Sequence, residues 1–251
     1  MSFTHQGRTI RKVAVVGSGQ IGPDIALYFT KVLSPFGTDT VVVDVSEQAL
    51  QAGRKKLEKK VQKGVETGAF TAEQQATMTS RVTWTTDYEA IRGADLVVEA
   101  ATENQELKGR IFGQVEQLVG PDAILVSNSS HLEPEVIFHN AKKKDRTGVV
   151  HYFFPAERNL LVEVVPGKDT AAATTRWLLS FYEAIGKVPI EVRSRYGYAL
   201  DPVFEGLFFA CALLAEKGVG TTRQIDAVCK QTFRMGVGSF TAMNLTGGNP
   251  I

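Results

Sequence analysis

Two residues twelve positions apart could do proton chemistry: His151 and Glu163 in HYFFPAERNLLVEVV. Histidine takes and returns a proton near neutral pH, because imidazole as a residue type titrates near about 6.5. Its second ring nitrogen then needs a partner that fixes the tautomer and steadies the imidazolium, and a buried carboxylate does this. Leu161 and Val165 share a strand face with Glu163, while Leu160, Val162 and Val164 form the other face. That is the pattern of a strand covered on both sides, where an ionised carboxylate is costly unless paired. Taken alone, the two residues would equally suit a structural ion pair.

A second group of residues could hold an anionic ligand. VVGSGQIG places Gly17, Gly19 and Gly22 directly after an apolar strand and at the start of a helix. In this context Gly17 makes the turn, Gly19 lets the backbone approach a pyrophosphate, and Gly22 packs helix on strand. The amides near Gln20 and Ile21, aided by the helix dipole, would hold the phosphate oxygens. Asp44, at the end of the next strand, would bond the adenosine ribose hydroxyls and repel a 2′-phosphate, so the expected cofactor is NAD rather than NADP. Pro23 and Asp24 are unusual in the first turn of such a helix, since one lacks an amide and the other adds negative charge near a phosphate site. Asp24 could weaken cofactor binding or simply point outward.

The elements that must position these residues follow from periodicity. Strands are expected at 11–17, 40–45, 81–87, 94–100, 123–128, 148–153, 160–165 and 187–192. Helices are expected over about 20–33, along the basic stretch after Leu50, from Thr71, and over 107–119 and 170–186. This alternation predicts an α/β doubly wound, Rossmann-type sheet. After Tyr196 the pattern is helical only, which predicts a dinucleotide-binding domain over 1–194 and a small all-helical domain over 195–251. The 251 residues are nearly balanced in charge, 28 basic against 27 acidic, so no basic field invites nucleic acid. MSFTHQGRTI lacks the apolar core of a signal peptide, and no stretch approaches the roughly 20 apolar residues of a membrane span. Cys211 and Cys229 lie in helical patterns without zinc-type spacing, so no metal is expected, and reduced thiols point to a cytoplasmic protein.

Six ordered stretches, KVAVVGSGQIG, VVVDVSEQAL, ADLVVEAATENQELK, AILVSNSS, HYFFPAERNLLVEVV and AIGKVPIEV, make the chain resemble the 3-hydroxyacyl-CoA dehydrogenase family over nearly its whole length. The resemblance implies NAD-dependent oxidation of a 3-hydroxyacyl-CoA to the 3-ketoacyl-CoA, as in fatty acid β-oxidation. It implies His151 as general acid/base, Glu163 orienting it, Ser130 contacting the substrate hydroxyl, and Glu103 and Lys108 contacting the cofactor. It also implies a helical domain that supplies a dimer interface, whereas this chain stops at TGGNPI, as if truncated. The apolar run of Phe204, Leu207, Phe208, Cys211, Leu213 and Leu214 likewise predicts a homo-oligomer.

The chain departs from the family at three places. Phe154 stands where the family carries an asparagine near the substrate, Asp201 and Pro202 stand where it carries Asn-Arg, and His131 replaces a serine after Ser130. Asp201 is expected to mimic the asparagine as an acceptor only. These departures leave two alternatives: a dehydrogenase of another 3-hydroxy acid or of a cyclic acyl-CoA, or an NAD-binding subunit weakened in catalysis. The basic run RKKLEKKVQK (54–63) reads first as a solvated helix face and second as an attractor for the phosphates of CoA.

Overall fold

The computed structural model describes residues 2–245 and divides the chain into two compact units, Met1–Tyr196 and Gly197–Ile251. The first unit opens with a hairpin of β1 (Phe3–His5) and β2 (Arg8–Ile10), which no strand pattern announced. Its turn has Gln6 and Gly7 both at positive φ, the geometry of a tight two-residue loop that twists with its strands. Phe3 sets its ring edge-on against Phe181 and Phe36, which ties the hairpin to the body of the unit.

The main sheet then follows the predicted alternation: β3 (Lys12–Val16), α1 (Gly22–Leu33), β4 (Asp39–Val43), α2 (Glu47–Glu66), α3 (Ala72–Ser80), β5 (Val82–Thr85), β6 (Leu96–Glu99), α4 (Gln105–Leu118), β7 (Ile124–Ser127), α5 (Pro134–Ile137), β8 (Thr147–Tyr152), β9 (Leu161–Val165), α6 (Ala172–Ala184) and β10 (Val188–Glu191). The strand order is β10-β9-β8-β7-β6-β3-β4-β5. Every neighbouring pair is parallel except β8 and β9. The chain runs outward from β3 through β4 to β5 and returns to β6 on the other side. The switch point between β3 and β6 is where open α/β sheets bind ligands, beyond the carboxyl ends of the strands. Strands buried on both faces, such as Val13–Val16, Leu96–Glu99 and Ile124–Ser127, explain the uninterrupted apolar runs.

The one antiparallel pair has a simple cause. A parallel crossover needs a dozen or more residues, and the connection 153–160 between β8 and β9 is too short for one. That connection is pinned from beneath by Lys187, which is 3 % exposed and donates to the Ala156 and Asn159 carbonyls, each at 2.6 Å. Its ammonium lies 3.9 Å from the centre of the Tyr28 ring, and burial pushes it down to about 8. Burial also pushes the Tyr28 hydroxyl up to about 12. Above a pH of about 8 the folded lysine loses its proton while the unfolded one, titrating near about 10.4, keeps it. The unfolded state then binds more protons, so stability rises with pH in this window. Wild type should therefore gain about 1–2 kcal/mol over Lys187→Met between about pH 7 and about pH 9.5, read from urea midpoints; equal slopes would refute the assignment.

The second unit holds α7 (Leu200–Glu216), α8 (Thr222–Thr232) and α9 (Ser239–Leu245). Cys211, Ile225 and Cys229 form its small core, and the two sulfurs lie 3.7 Å apart as free thiols. Thr221 and Gln224 close a reciprocal capping box at the start of α8. Among the described residues, no helix is long and apolar enough to cross a membrane.

Candidate active site

The glycine loop leaves β3 at the switch point. Gly17 has φ +110°, donates its amide to the Val43 carbonyl at 2.7 Å, and is so close to the chain after β6 that an added Cβ would lie 2.5 Å from the Ala100 oxygen. A Cβ at Gly22 would fall 1.9 Å from the Gly17 oxygen. Neither position tolerates a side chain. At Gly19 an added Cβ would meet nothing within 4 Å, so the protein's own packing does not require glycine there, and the open space suits the approach of a ligand. The α1 helix has no side-chain cap. Among the described residues, neither the Gln20 nor the Ile21 amide donates to another group. An uncapped helix start with unspent amides is a ready phosphate site.

Asp44 stands just past β4, with Oδ2 accepting from the Ser18 amide at 2.7 Å and Oδ1 from the Ser46 amide at 2.8 Å. Each oxygen keeps acceptor capacity for a ribose hydroxyl. The loop is also backed by a residue that the sequence did not mark. Gly53 on α2 packs so tightly that a Cβ would lie 2.2 Å from the Ser18 oxygen and 2.8 Å from Pro23. A lone glycine inside a helix was its only signal. This donor and acceptor set, with its glycine cradle, fits NAD.

Two expectations about charge need correction. Asp24 does not point outward: it is fully buried, with Lys60 at 2.8 Å and Lys56 at 3.0 Å. The basic run on α2 is therefore not simply a solvated face, since these two lysines turn in to neutralise Asp24. Pro23 removes no helical hydrogen bond, because it lies in the first positions of α1, where amides have no partner within the helix.

Beyond β6 and β7 lies a buried polar cluster. Lys108, 1 % exposed, places its ammonium 2.7 Å from Glu99 and 3.2 Å from Glu103. Glu99 also accepts from Ser127 Oγ at 2.5 Å and from the Ala101 amide at 2.7 Å. Burial nevertheless holds Glu99 above the usual carboxylate range. Burial acts the same way on Glu103, but Lys108, Ser129 and His131 outweigh it and bring that carboxyl below its ordinary value. The two serines of NSS divide their work. Ser129 is buried, donates to Glu103 and accepts from the Leu132 amide. Ser130 is half-buried, and its hydroxyl has no hydrogen-bond partner among the described residues.

His151 sits near the carboxyl end of β8, directly opposite Glu163 in the antiparallel register with β9. Side chains at directly opposed positions share a face within contact distance. His151 Nδ1 lies 2.9 Å from Glu163 Oε2, and the two residues are 5 % and 1 % exposed. A carboxylate only accepts, so Nδ1 carries the hydrogen and Nε2 is the basic nitrogen. Phe153 sets its ring against the imidazole at 4.8 Å, and Asn128, beyond β7, accepts from the Tyr152 amide at 2.9 Å. The glycine loop, Asp44, Glu103 and Ser130 thus lie past the carboxyl ends of β3, β4, β6 and β7, and His151 lies near the carboxyl end of β8, in one sheet. Asp201 belongs to the helical unit, in the first turn of α7.

Residues 12–195 match the family described as 3-hydroxyacyl-CoA dehydrogenase, NAD binding domain. A glyoxysomal fatty acid β-oxidation multifunctional protein of Cucumis sativus is 34 % identical over 96 % of this chain and 32 % of its own length. A probable 3-hydroxyacyl-CoA dehydrogenase of Caenorhabditis elegans is 33 % identical over 89 % of this chain and 75 % of its own. The chain thus spans about a third of the length of several curated relatives that it matches. Among solved structures, (S)-3-hydroxybutyryl-CoA dehydrogenase of Ralstonia eutropha superposes with a TM-score of 0.85 at 26 % identity, covering 94 % of this chain and 82 % of that one. With the glycine cradle, the acidic residue after β4 and this match in agreement, the chain belongs to the 3-hydroxyacyl-CoA dehydrogenase family and carries its NAD-binding domain.

Proposed function

We propose that the protein oxidises the 3-hydroxyl of an acyl-CoA thioester to a ketone. The observation that carries this reading is the buried His151–Glu163 pair at the ligand edge of the NAD-binding sheet. His151 Nε2 removes the hydroxyl proton as the carbon–hydrogen bond breaks, and Glu163 holds the tautomer and balances the imidazolium. Ser130 bonds the reacting oxygen. NAD, when bound, supplies the hydride acceptor. Gly17, Gly19, Gln20, Ile21 and Gly22 cradle its phosphates, and Asp44 takes its adenosine ribose. Glu103 contacts the cofactor, and Lys108 acts on it through Glu103, whose carboxylate it holds.

A panel of short and long 3-hydroxyacyl-CoAs should yield NADH well above a His151→Ala control. No substrate above that control would sink the proposal. Phe154 favours a second reading. It offers no hydrogen-bonding group where the family has an asparagine, and it packs on Lys56. A different 3-hydroxy acid or a cyclic acyl-CoA would suit such a site, and turnover on free acids against thioesters separates the two.

The helical unit bears Val203, Phe209 and Phe233 in exposed positions, each at 60 % or more. We propose that such residues are covered in a homo-oligomer. Sedimentation at micromolar concentration should show a species larger than one chain, and a monodisperse monomer would overturn this.

A further inference from the structure

The charged residues between the glycine loop and the segment after His151 form one continuous chain. Lys56 donates to the Gln20 carbonyl at 2.6 Å and to Asp24 Oδ2 at 3.0 Å. Its ammonium also lies 5.3 Å from the centre of the Phe154 ring. Lys60 bridges Asp24 Oδ1 at 2.8 Å and Glu157 Oε1 at 2.5 Å. Asp24 belongs to α1, the two lysines to α2, and Phe154 and Glu157 to the connection that follows His151.

The four charges sum to zero but are not evenly placed. Asp24 is fully buried, whereas the Lys56 side chain keeps 30 % of its surface exposed. Lys60 is engaged at its far side by Glu157. Lys56 is therefore the most exposed of the four charged side chains, and Asp24 the least. The Lys56 ammonium sits on the carbonyl of Gln20, whose own amide, just before α1, donates to no other group among the described residues. An anion held there experiences the helix dipole and this cation together. A long flexible lysine loses rotamer freedom when fixed. Here Asp24 fixes one side of it, and the ring of Phe154 presents its negative face to another.

We propose that Lys56 is a cofactor-binding residue that brings positive charge to the pyrophosphate of NAD, and that Asp24 and Phe154 hold it in place. The apparent liabilities at positions 24 and 154 then share one purpose. The inference rests on NAD as the ligand and not on the acyl-CoA substrate, so it is tested by direct binding without turnover.

Isothermal titration of the intact chain with NAD, ADP and adenosine separates the possibilities. Lys56→Gln keeps an N–H for the Gln20 carbonyl but no charge, and should weaken NAD and ADP by about five- to tenfold while leaving adenosine within about twofold. Lys56→Arg should retain NAD affinity within about twofold, and the exposed Lys55→Met should leave all three ligands unchanged. Unchanged NAD affinity in Lys56→Gln would overturn the proposal. So would an equal loss for adenosine, which carries no phosphate and would report a merely structural role.

Discussion

Replacing His151 by glutamine should lower kcat on a 3-hydroxyacyl-CoA by about 10³- to 10⁴-fold while leaving NAD affinity within about twofold. The imidazole is the only group in the proposed scheme that carries the proton away, and it lies on β8, separated by β7 and β6 from the β3 whose glycine loop would hold the cofactor in that scheme. Glu163→Gln tests the partner. Its amide can donate toward Nδ1, which would favour the tautomer whose hydrogen sits on Nε2, the wrong nitrogen for a base. A loss of about 10²- to 10⁴-fold in kcat is expected, again with NAD affinity retained. Single-turnover rates in stopped flow check both variants. Turnover within tenfold of wild type in His151→Gln would remove the histidine from the mechanism.

The second large effect is on stability. Lys108→Met should cost about 3–5 kcal/mol, because it strands Glu99 as a buried carboxylate without its cation. Burial already holds Glu99 above the usual range with Lys108 present, and without the ammonium its protonated form gains further. A carboxyl raised in the folded state stabilises most below the pH at which the unfolded one titrates, and that contribution fades as pH rises. The deficit of the variant should therefore be smaller near about pH 5 than near about pH 8. Adding Glu99→Gln should restore much of the loss, since a neutral amide can be satisfied by Ser127 and the Ala101 amide nearby. Urea midpoints of the single and double variants measure this, and a single variant as stable as wild type would contradict it.

Much of this was legible from residue types. Periodicity located the inner strands of the main sheet because they are buried on both faces and read as apolar runs, while the edge strands β5 and β10 are only partly buried. The glycine loop was legible because two of its glycines meet backbone that no side chain can displace, at Ala100 and at Gly17. The hairpin at Phe3–Ile10 was not, because its strands are three residues each and owe their place to aromatic contacts with Phe36 and Phe181. Nor was the fate of Asp24. Local sequence shows a carboxylate in a helix start, while its two cations come from a helix about thirty residues later. The division between Ser129 and Ser130 is likewise tertiary, since only the fold shows that Glu103 takes the first hydroxyl.

The antiparallel pairing of β8 and β9 has an evolutionary consequence. His151 meets Glu163 because a backbone ladder places them opposite each other, and a ladder has a repeat of two residues. Insertions in the connection 153–160 leave that meeting intact, whereas a single-residue slip within either strand would send one partner to the opposite face of the sheet. The ladder thereby keeps the proposed proton-transferring pair in register while the connection that carries Phe154 is free to change in length.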